Sequence, residues 1–567
     1  RRPLATARAM LFAQLVDDPS SCPEQFPTDR SQREERERLH RLIERLVGWD
    51  EIRDEQLVNE ARQEILKSTG GNPPAILDPF AGGGTIPLEA QRLGLDTFAS
   101  DLNPVAVLIN KALIEIPPKF RDQAPVFPGL AASEIREWVA SSGLAADVRA
   151  YGAWIRDEAA RRIEGMYPKA SLADGTKATV IAWIWCRTAA CPNPACGLEM
   201  PLVRSRWLGK KASKETFIVM ELVPDSDHRS GQRVTFGIGH DKRNAPSAAD
   251  EGTISGRTGA ICIACQSNAS IEYIRSEGRA GRLGQQLMAM VVEVGRQRMY
   301  LAPDPVQQDA ACVGRPEDTI GGEIADNPRW FSPPTYGLKD FADLFTNRQL
   351  VALGTFSDLV VEARQRVLAD AIAAGVHDAA AYADAVATYL AFGVDKIALT
   401  NVTLATWQTN PERLTQAYSR QAIPMTWDFA EANPLSDAGG GYALTAIAMA
   451  KVLDRLAPNG RGQADQEDAI DVVGRRRGIQ AILVTGVTDG GVTDGDIGRN
   501  GAAANRGVNI TKVHRPSRVQ CRAGVVVGRA DERNGRGAER GVTEGTGTSR
   551  SQRHGGGADL GPGRAAG

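Results

Sequence analysis

Apolar positions along the chain follow two periods. Residues 1–16, RRPLATARAMLFAQLV, place apolar side chains at helical spacing with arginines on the opposite face. Residues 31–52, SQREERERLHRLIERLVGWDEI, carry a Leu/Ile stripe through dense charge. Both spacings predict amphipathic helices, with the charges of the second on a solvated face. AILDPF at 75–80 reads as a buried strand, TIPLEAQRLG at 85–94 as a helix stopped by Gly94, DTFASDL at 96–102 as a second strand, and NPVAVLINKALIEI at 103–116 as a second helix. Strand, glycine turn, helix, strand, helix is the opening of a parallel α/β sheet.

The alternation breaks after PPKF at 117–120. Helical text from about 131 to 167 leads into TVIAWIWCRTAACPNPACGLEMPLV at 179–203, whose strands flank cysteines. Strand-like pieces follow at 215–223, 233–239 and 259–266. This section reads as a β-rich insertion. Helices are predicted again at 284–298 (GQQLMAMVVEVGRQR), 349–375 and 379–407, all three amphipathic and most simply core or scaffold. From about residue 471 the text has no Phe, Trp, Tyr or Met, and Gly, Arg, Val, Ala and Thr dominate. Such a segment buries too little apolar surface to fold. It is either a disordered Arg/Gly-rich tail that touches nucleic acid or out-of-frame translation of a GC-rich gene, and the second reading is favoured for a reason given below. The expected division is a first block with the start of the α/β core at 1–119, an insertion at 120–323 holding a ribbon at about 178–275, a second, mostly helical part of the core region at 324–468, and the tail at 469–567.

At 567 residues the chain has room for several domains of roughly 150 residues. A net charge of -2 from 67 basic and 69 acidic residues singles out no partner, because the charges can still be segregated into patches. No apolar run approaches the ~20 residues of a membrane helix, so no spanning segment is expected. The chain starts at Arg1 without a methionine or a signal-peptide pattern, which suggests a piece of a longer product. Eight clustered cysteines in so long a chain point to metal ligation in a reducing cytoplasm rather than a disulfide framework.

The turn in ILDPFAGGGTIPLEA, residues 76–90, is built to hold a cofactor. A P-loop needs Gly-Lys-Ser/Thr after the glycines, and no lysine is there. A dinucleotide fingerprint needs a third glycine where Pro87 stands. What remains is an acidic strand end, a glycine turn and a helix start, a set that suits S-adenosylmethionine. Glycines let the backbone approach a ligand without a Cβ clash. The helix start after Thr85 offers N–H groups to polar ligand atoms. Asp78 can receive the donor's amino group, and Asp101, ending the second strand, stands where an acidic side chain meets ribose hydroxyls. The candidate cofactor set is Asp78, Pro79, Phe80, Ala81, Gly82, Gly83, Gly84, Thr85, Asp101 and Asn103. The competing reading is a turn whose glycines serve geometry alone.

LDPFAGGGTIPLEAQRLG followed by ASDLNPVAVLINKA resembles the bacterial adenine-specific DNA methylases that carry a zinc ribbon, the DUF1156-type group. RRPLATARAMLFAQLVDDPS looks like that family's N-terminal block, without the Trp-Trp-Ala stretch that usually precedes it. NPRWFSPPTYGLKDFADLFTNRQLVAL and MTWDFAEANPLSDAGGGY are similar to its later blocks, so the resemblance covers about residues 1–468. It implies an α/β fold: a class I S-adenosylmethionine-dependent methyltransferase-like (Rossmann-like) core with an inserted zinc ribbon and helical elements. The implied activity is N6-adenine methylation of DNA, with other subunits of a restriction or phage-defence system as possible partners. An RNA or tRNA methyltransferase and a non-catalytic zinc-ribbon nucleic-acid binder are the alternatives, because a shared core does not choose the substrate.

Cys191-Pro-Asn-Pro-Ala-Cys196 and Cys262-Ile-Ala-Cys265 form two knuckles whose spacings suit a structural zinc held by four thiolates. The competing reading, which that spacing disfavours, is buried, unliganded cysteines. Cys186 is the poorer candidate, and Cys22, Cys312 and Cys521 stand alone. Between the knuckles, Arg204, Arg206, Lys210, Lys211 and Lys214 surround Trp207. That cluster is either a surface for phosphates and a base or a solvated hairpin.

An amino-methylating enzyme of the resembled kind carries Asp/Asn/Ser-Pro-Pro-Tyr/Phe/Trp after a strand, to orient the amine and stack the flipped base. Asn72-Pro73-Pro74-Ala75 lacks the ring and Ile116-Pro117-Pro118-Lys119 lacks both groups. Ser332-Pro333-Pro334-Thr335-Tyr336 has its ring one residue late and reads as a structural turn. The resemblance places the motif where the Gly/Arg/Val text begins, so a lost reading frame near 468–475 accounts for its absence. No catalytic residue is assigned.

Overall fold

The structure, a computed structural model, describes residues 3–472 apart from 49–53, 134–136, 212–213, 248–251, 256–257, 296, 457–458 and 470, together with the strands Ala481–Leu483 and Val526–Gly528. It is a mixed α/β arrangement with several small sheets.

Helices α1 (Leu4–Leu15), α2 (Asp29–Val47) and α3 (Glu55–Ser68) form an outer layer. A reciprocal cap starts α2: the Thr28 hydroxyl accepts the Ser31 N–H at 3.1 Å, and the Ser31 hydroxyl accepts the Thr28 N–H at 3.2 Å. The stripe Leu39, Leu42 and Leu46 packs with Leu11, Phe12 and Leu15 of α1 and with Leu57, Ala61 and Ile65 of α3. Each fully buried leucine, isoleucine or phenylalanine among them contributes about 1.5–3 kcal/mol. The one arginine of α1, Arg8, does not face water as the pattern of residues 1–16 suggests. Arg8 is 2 % exposed, and its Nε donates to Glu89 Oε2 at 2.6 Å. Hydrophobic periodicity alone assigns an arginine to the solvent side, and only a buried acid on another element reverses that.

The layer packs against Ile76, Ile86 and Ala90, on the central strand of a mainly parallel sheet and the helix that follows it. Strand β1 (Ala75–Asp78) leads through a glycine turn into α4 (Thr85–Arg92), then β2 (Thr97–Asp101), then α5 (Pro104–Asn110). β1 and β2 are parallel, with Leu77 opposite Phe98. The strand Gly462–Gln466 runs parallel on the far side of β2, and Ala481–Leu483 runs parallel on the far side of β1. Val526–Gly528 closes the order antiparallel to Ala481–Leu483. These last two strands fall in the Gly/Arg-rich segment expected not to fold. Most of that segment, Cys521 included, lies outside the described residues. The helix expected over 103–116 is shorter as an α-helix: after Asn110 the chain widens into a π-helical turn, Lys111–Glu115.

Beyond it, α6 (Ser142–Ile163) packs with α7 (Asn347–Ala373), α8 (Ala379–Ala398) and α9 (Tyr442–Leu453) around Tyr151, Phe356, Tyr382, Tyr389 and Tyr442. The predicted helix 379–407 stops at Ala398. There the Ile397 carbonyl gathers the Thr400 and Asn401 N–H groups at 3.0 and 2.9 Å and the Asn401 side-chain amide at 3.2 Å.

A second sheet centres on β3 (Lys177–Ala190), flanked by β4 (Glu199–Leu202), β5 (Gly284–Val294) and β6 (Asp428–Ala432), all antiparallel to it. β5 corrects the helix expected at 284–298. Residues Leu287 through Val292 are all buried, because both faces of the strand are covered. A strand of that kind shows a continuous apolar run, and periodicity does not separate it from a buried helix.

Candidate metal centre and glycine turn

Two antiparallel strand pairs each carry a cysteine knuckle at their connection. Cys191 follows β3 and Cys196 precedes β4, whose register pairs Ala190 with Glu199. Cys262 follows the strand Gly259–Ile261 and Cys265 precedes Asn268–Ala269, where Ile261 faces Asn268. The two turns share a construction. In each, the residue after the second cysteine is left-handed, Gly197 at φ 61° and Gln266 at φ 59°. Cross-turn bonds close both, Cys191 N to Leu198 O at 2.7 Å and Cys262 N to Ser267 O at 3.0 Å. Glycine at 197 follows from that conformation, whereas Gln266 accepts it as strain of order 1 kcal/mol.

The four sulfurs lie within 4.8 Å of one another, with Cys191 to Cys265 at 3.5 Å and Cys196 to Cys262 at 3.8 Å. A tetrahedral ion with metal–sulfur bonds of about 2.3 Å separates its sulfurs by roughly 3.8 Å. The four cysteines are free thiols, close together, and can hold a metal ion. Hydrogen bonds from the Ser267 side chain and backbone bring the Cys265 thiol down to about 6, so one ligand is ready to ionise. Burial pushes Cys191 and Cys196 up, which leaves their thiolates dependent on a cation. Cys186 is buried outside the cluster, its thiol pushed up by burial, and Cys22 and Cys312 stand apart.

The glycine turn sits at the C-terminal ends of the parallel strands. Asp78 is buried, and its Oδ1 accepts the Phe80 N–H at 3.1 Å. Ala81 N–H donates to Ser100 O at 3.0 Å, and Gly82 N–H to Asp101 Oδ2 at 2.8 Å, so the turn is laced to the end of β2. Gly82 (φ 51°) and Gly84 (φ 74°) are left-handed, a conformation that favours glycine. Pro79 is buried beneath the turn, while Phe80 and Gly83 are exposed above it. Thr85 opens α4, where Pro87 in the first turn carries no N–H; Thr85 and Ile86 supply the backbone donors of that end. Asp101 Oδ1 also accepts the Asn103 N–H at 2.9 Å. The Asn103 side chain caps α5 through the Val105 N–H at 2.9 Å, a structural task already filled. Phe80, Leu102, Val105 and Leu108 leave an exposed apolar group beside the turn.

One residue here escaped sequence reasoning. Asn110 reaches back across α5 and donates to Gly82 O at 3.0 Å. Its only trace in the sequence is a small amide in a buried helical position. Ser332-Pro333-Pro334-Thr335-Tyr336 forms a short 3-10 turn away from the glycines. The Tyr336 ring is buried edge-on against Trp427 at 5.0 Å, in the apolar cluster that also contains Cys191 and Cys262. Between the knuckles, Trp207 is half-buried, its Nε1 donates to Ser247 O at 3.2 Å, and Lys210 lies 5.2 Å over its ring.

Residues 1–42 match the family model described as Protein of unknown function (DUF1156). No curated protein and no solved structure matches the chain. Among the described residues no helix is long and apolar enough to cross a membrane.

Proposed function

We propose that the chain binds S-adenosylmethionine at the glycine turn and serves N6-adenine methylation of DNA, with zinc held by the four cysteines as a structural ion. The carrying observation is the joint between the Gly82 N–H and the Asp101 carboxylate, which fixes an acidic group and a Cβ-free backbone side by side at the ends of two parallel strands. That is the position where doubly wound sheets take nucleotide-like ligands. The donor supplies an activated methyl group. The chain's own residues do the rest: the backbone at Gly82, beside which a Cβ would meet nothing within 4 Å, lets the ligand approach, Asp78 and Asp101 offer acceptors to its amine and hydroxyls, and Phe80, Leu102 and Val105 offer apolar walls to a purine.

The acceptor is assigned through the resemblance of several separate blocks to adenine-specific DNA methylases. A target base leaves the helix before its amine can be reached. A non-catalytic DNA binder is the second reading, favoured by one observation: no Asp/Asn/Ser-Pro-Pro-Tyr/Phe/Trp stretch occurs in the sequence. Calorimetric titration with S-adenosylmethionine, followed by incubation of labelled donor with separate DNA and RNA pools, tests both. Donor binding with label in DNA adenine is expected. Label in RNA alone transfers the assignment to RNA, donor binding without label favours the non-catalytic reading, and no donor binding ends the methyltransferase reading.

A further inference from the structure

The π-helical turn after α5 has a local cause. Pro117 and Pro118 carry no N–H, so the carbonyls of Leu113 and Ile114 lose their α-helical donors. Ile116 N–H bonds instead to Lys111 O, five residues back, and the Ala112 carbonyl is released as well. Two freed carbonyls are taken up from other elements. The Tyr389 hydroxyl, on α8, donates to Ala112 O at 2.7 Å, and Gln91 Nε2, on α4, donates to Ile114 O at 2.7 Å. The widened turn is thus held from the helical bundle and from the helix that the glycine turn launches.

Asn110 occupies the residue at which the widening begins. It is 1 % exposed. Its Nδ2 donates to Gly82 O at 3.0 Å and to Ala106 O at 2.8 Å, while its Oδ1 is buried without a hydrogen-bond partner. That oxygen takes the space of a side chain at Gly84, where a Cβ would lie 2.7 Å from it. One amide therefore touches both left-handed glycines of the turn, gripping the first by its carbonyl and filling the space beside the second. A buried amide oxygen left unpaired costs free energy, and π-helical turns gather at functional sites.

We infer that Asn110 is a positioning residue for the cofactor turn, and that the π-helical turn held by Tyr389 and Gln91 sets its reach. This rests on the methyl-donor reading given above. Pro117-Pro118, which resembles a catalytic dipeptide only in composition, acts here as the device that shifts the register of the preceding helix.

The full chain as wild type, Asn110→Leu, Asn110→Ala and Tyr389→Phe is titrated calorimetrically with S-adenosylmethionine, with melting temperature and amide exchange measured on the same samples. Loss of the Gly82 contact is expected to weaken binding about tenfold in both Asn110 variants, with a smaller loss in Tyr389→Phe. Amide exchange is expected to rise locally at residues 82–84, while the melting temperature moves by a few degrees at most. Asn110→Leu keeps nearly the original shape and guards against an unfolded alanine variant. Wild-type binding with unchanged affinity in the Asn110 variants, or exchange that rises over the whole chain, overturns the positioning role and leaves the donor reading intact. No binding by the wild type overturns the donor reading itself, and this inference with it.

Discussion

The Asp101 carboxylate accepts the Gly82 N–H at 2.8 Å, and its other oxygen accepts the Asn103 N–H at 2.9 Å. One side chain at the end of β2 thereby sets both the turn after β1 and the entry to α5. Asp101→Ala is expected to cost about 2–4 kcal/mol in urea unfolding, since hydrogen bonds to a charged acceptor contribute roughly 1.5–3 kcal/mol each and are not additive. Donor affinity is expected to fall alongside. Unchanged stability and affinity would mean that Asp101 merely decorates the strand end.

Gly82 and Gly84 share a left-handed backbone but differ in their surroundings. A Cβ at Gly82 meets nothing within 4 Å, whereas one at Gly84 meets Asn110 Oδ1 at 2.7 Å. Alanine at either is expected to cost about 1–2 kcal/mol of backbone strain. Gly84→Ala is expected to cost a further ~1 kcal/mol or more and to weaken donor binding more strongly. Parallel denaturant melts check the order, and equal losses would contradict it.

For the metal centre, elemental analysis should find one zinc per chain, and serine at Cys191 or Cys265 should abolish it. Serine at Cys186, buried away from the cluster, should leave the metal content unchanged. Because the ligands bind as thiolates, metal release on acidification is expected, with a lowered melting temperature after chelation. Metal retained by the Cys191 and Cys265 variants would refute this assignment.

The helical bundle contains a carboxyl whose ionisation opposes folding. Asp147 is buried, accepts the Val126 and Phe127 N–H groups at 2.8 and 2.9 Å and the Tyr382 hydroxyl at 2.6 Å, and burial pushes its pKa up from 3.8 to about 6. The native state holds this proton more tightly than the unfolded chain. Its favourable contribution is therefore present below about pH 4 and is lost as pH rises through about 6. Asp147→Asn is expected to be less stable by about 1–3 kcal/mol, because its amide faces backbone donors. It should also remove this pH-dependent increment. Denaturant melts of both proteins between pH 4 and 7.5 measure it, and a constant difference across that range would contradict it.

Arg8 and Glu89 form a buried pair between α1 and α4, and Arg92 Nη1 meets the other Glu89 oxygen at 2.5 Å. Removing one partner is expected to cost about 3–5 kcal/mol, while Arg8→Met combined with Glu89→Leu should cost less than the sum of the single changes. Additive losses in chemical denaturation would mean that the two residues do not act as a pair. The pair makes the segment matched by DUF1156 an integral layer over α4 rather than a separate module.

The sequence by itself determined the features whose causes are local. The two knuckles are legible because metal spacing is a property of a few consecutive residues. The turn after β1 is legible because left-handed backbone favours glycine, and α2 and α7 because their apolar positions repeat along one face. Tertiary structure alone decided the features that join distant segments. The text of β5 reads as a helix because its neighbours bury both faces and erase the alternation that marks a strand. Arg8 is internal only because Glu89 receives it. Asn110 acquires a task only because two prolines widen the helix behind it and Tyr389, far along the chain, accepts the consequence. Periodicity records exposure to water, and it has no sign for a polar group whose partner lies elsewhere in the fold.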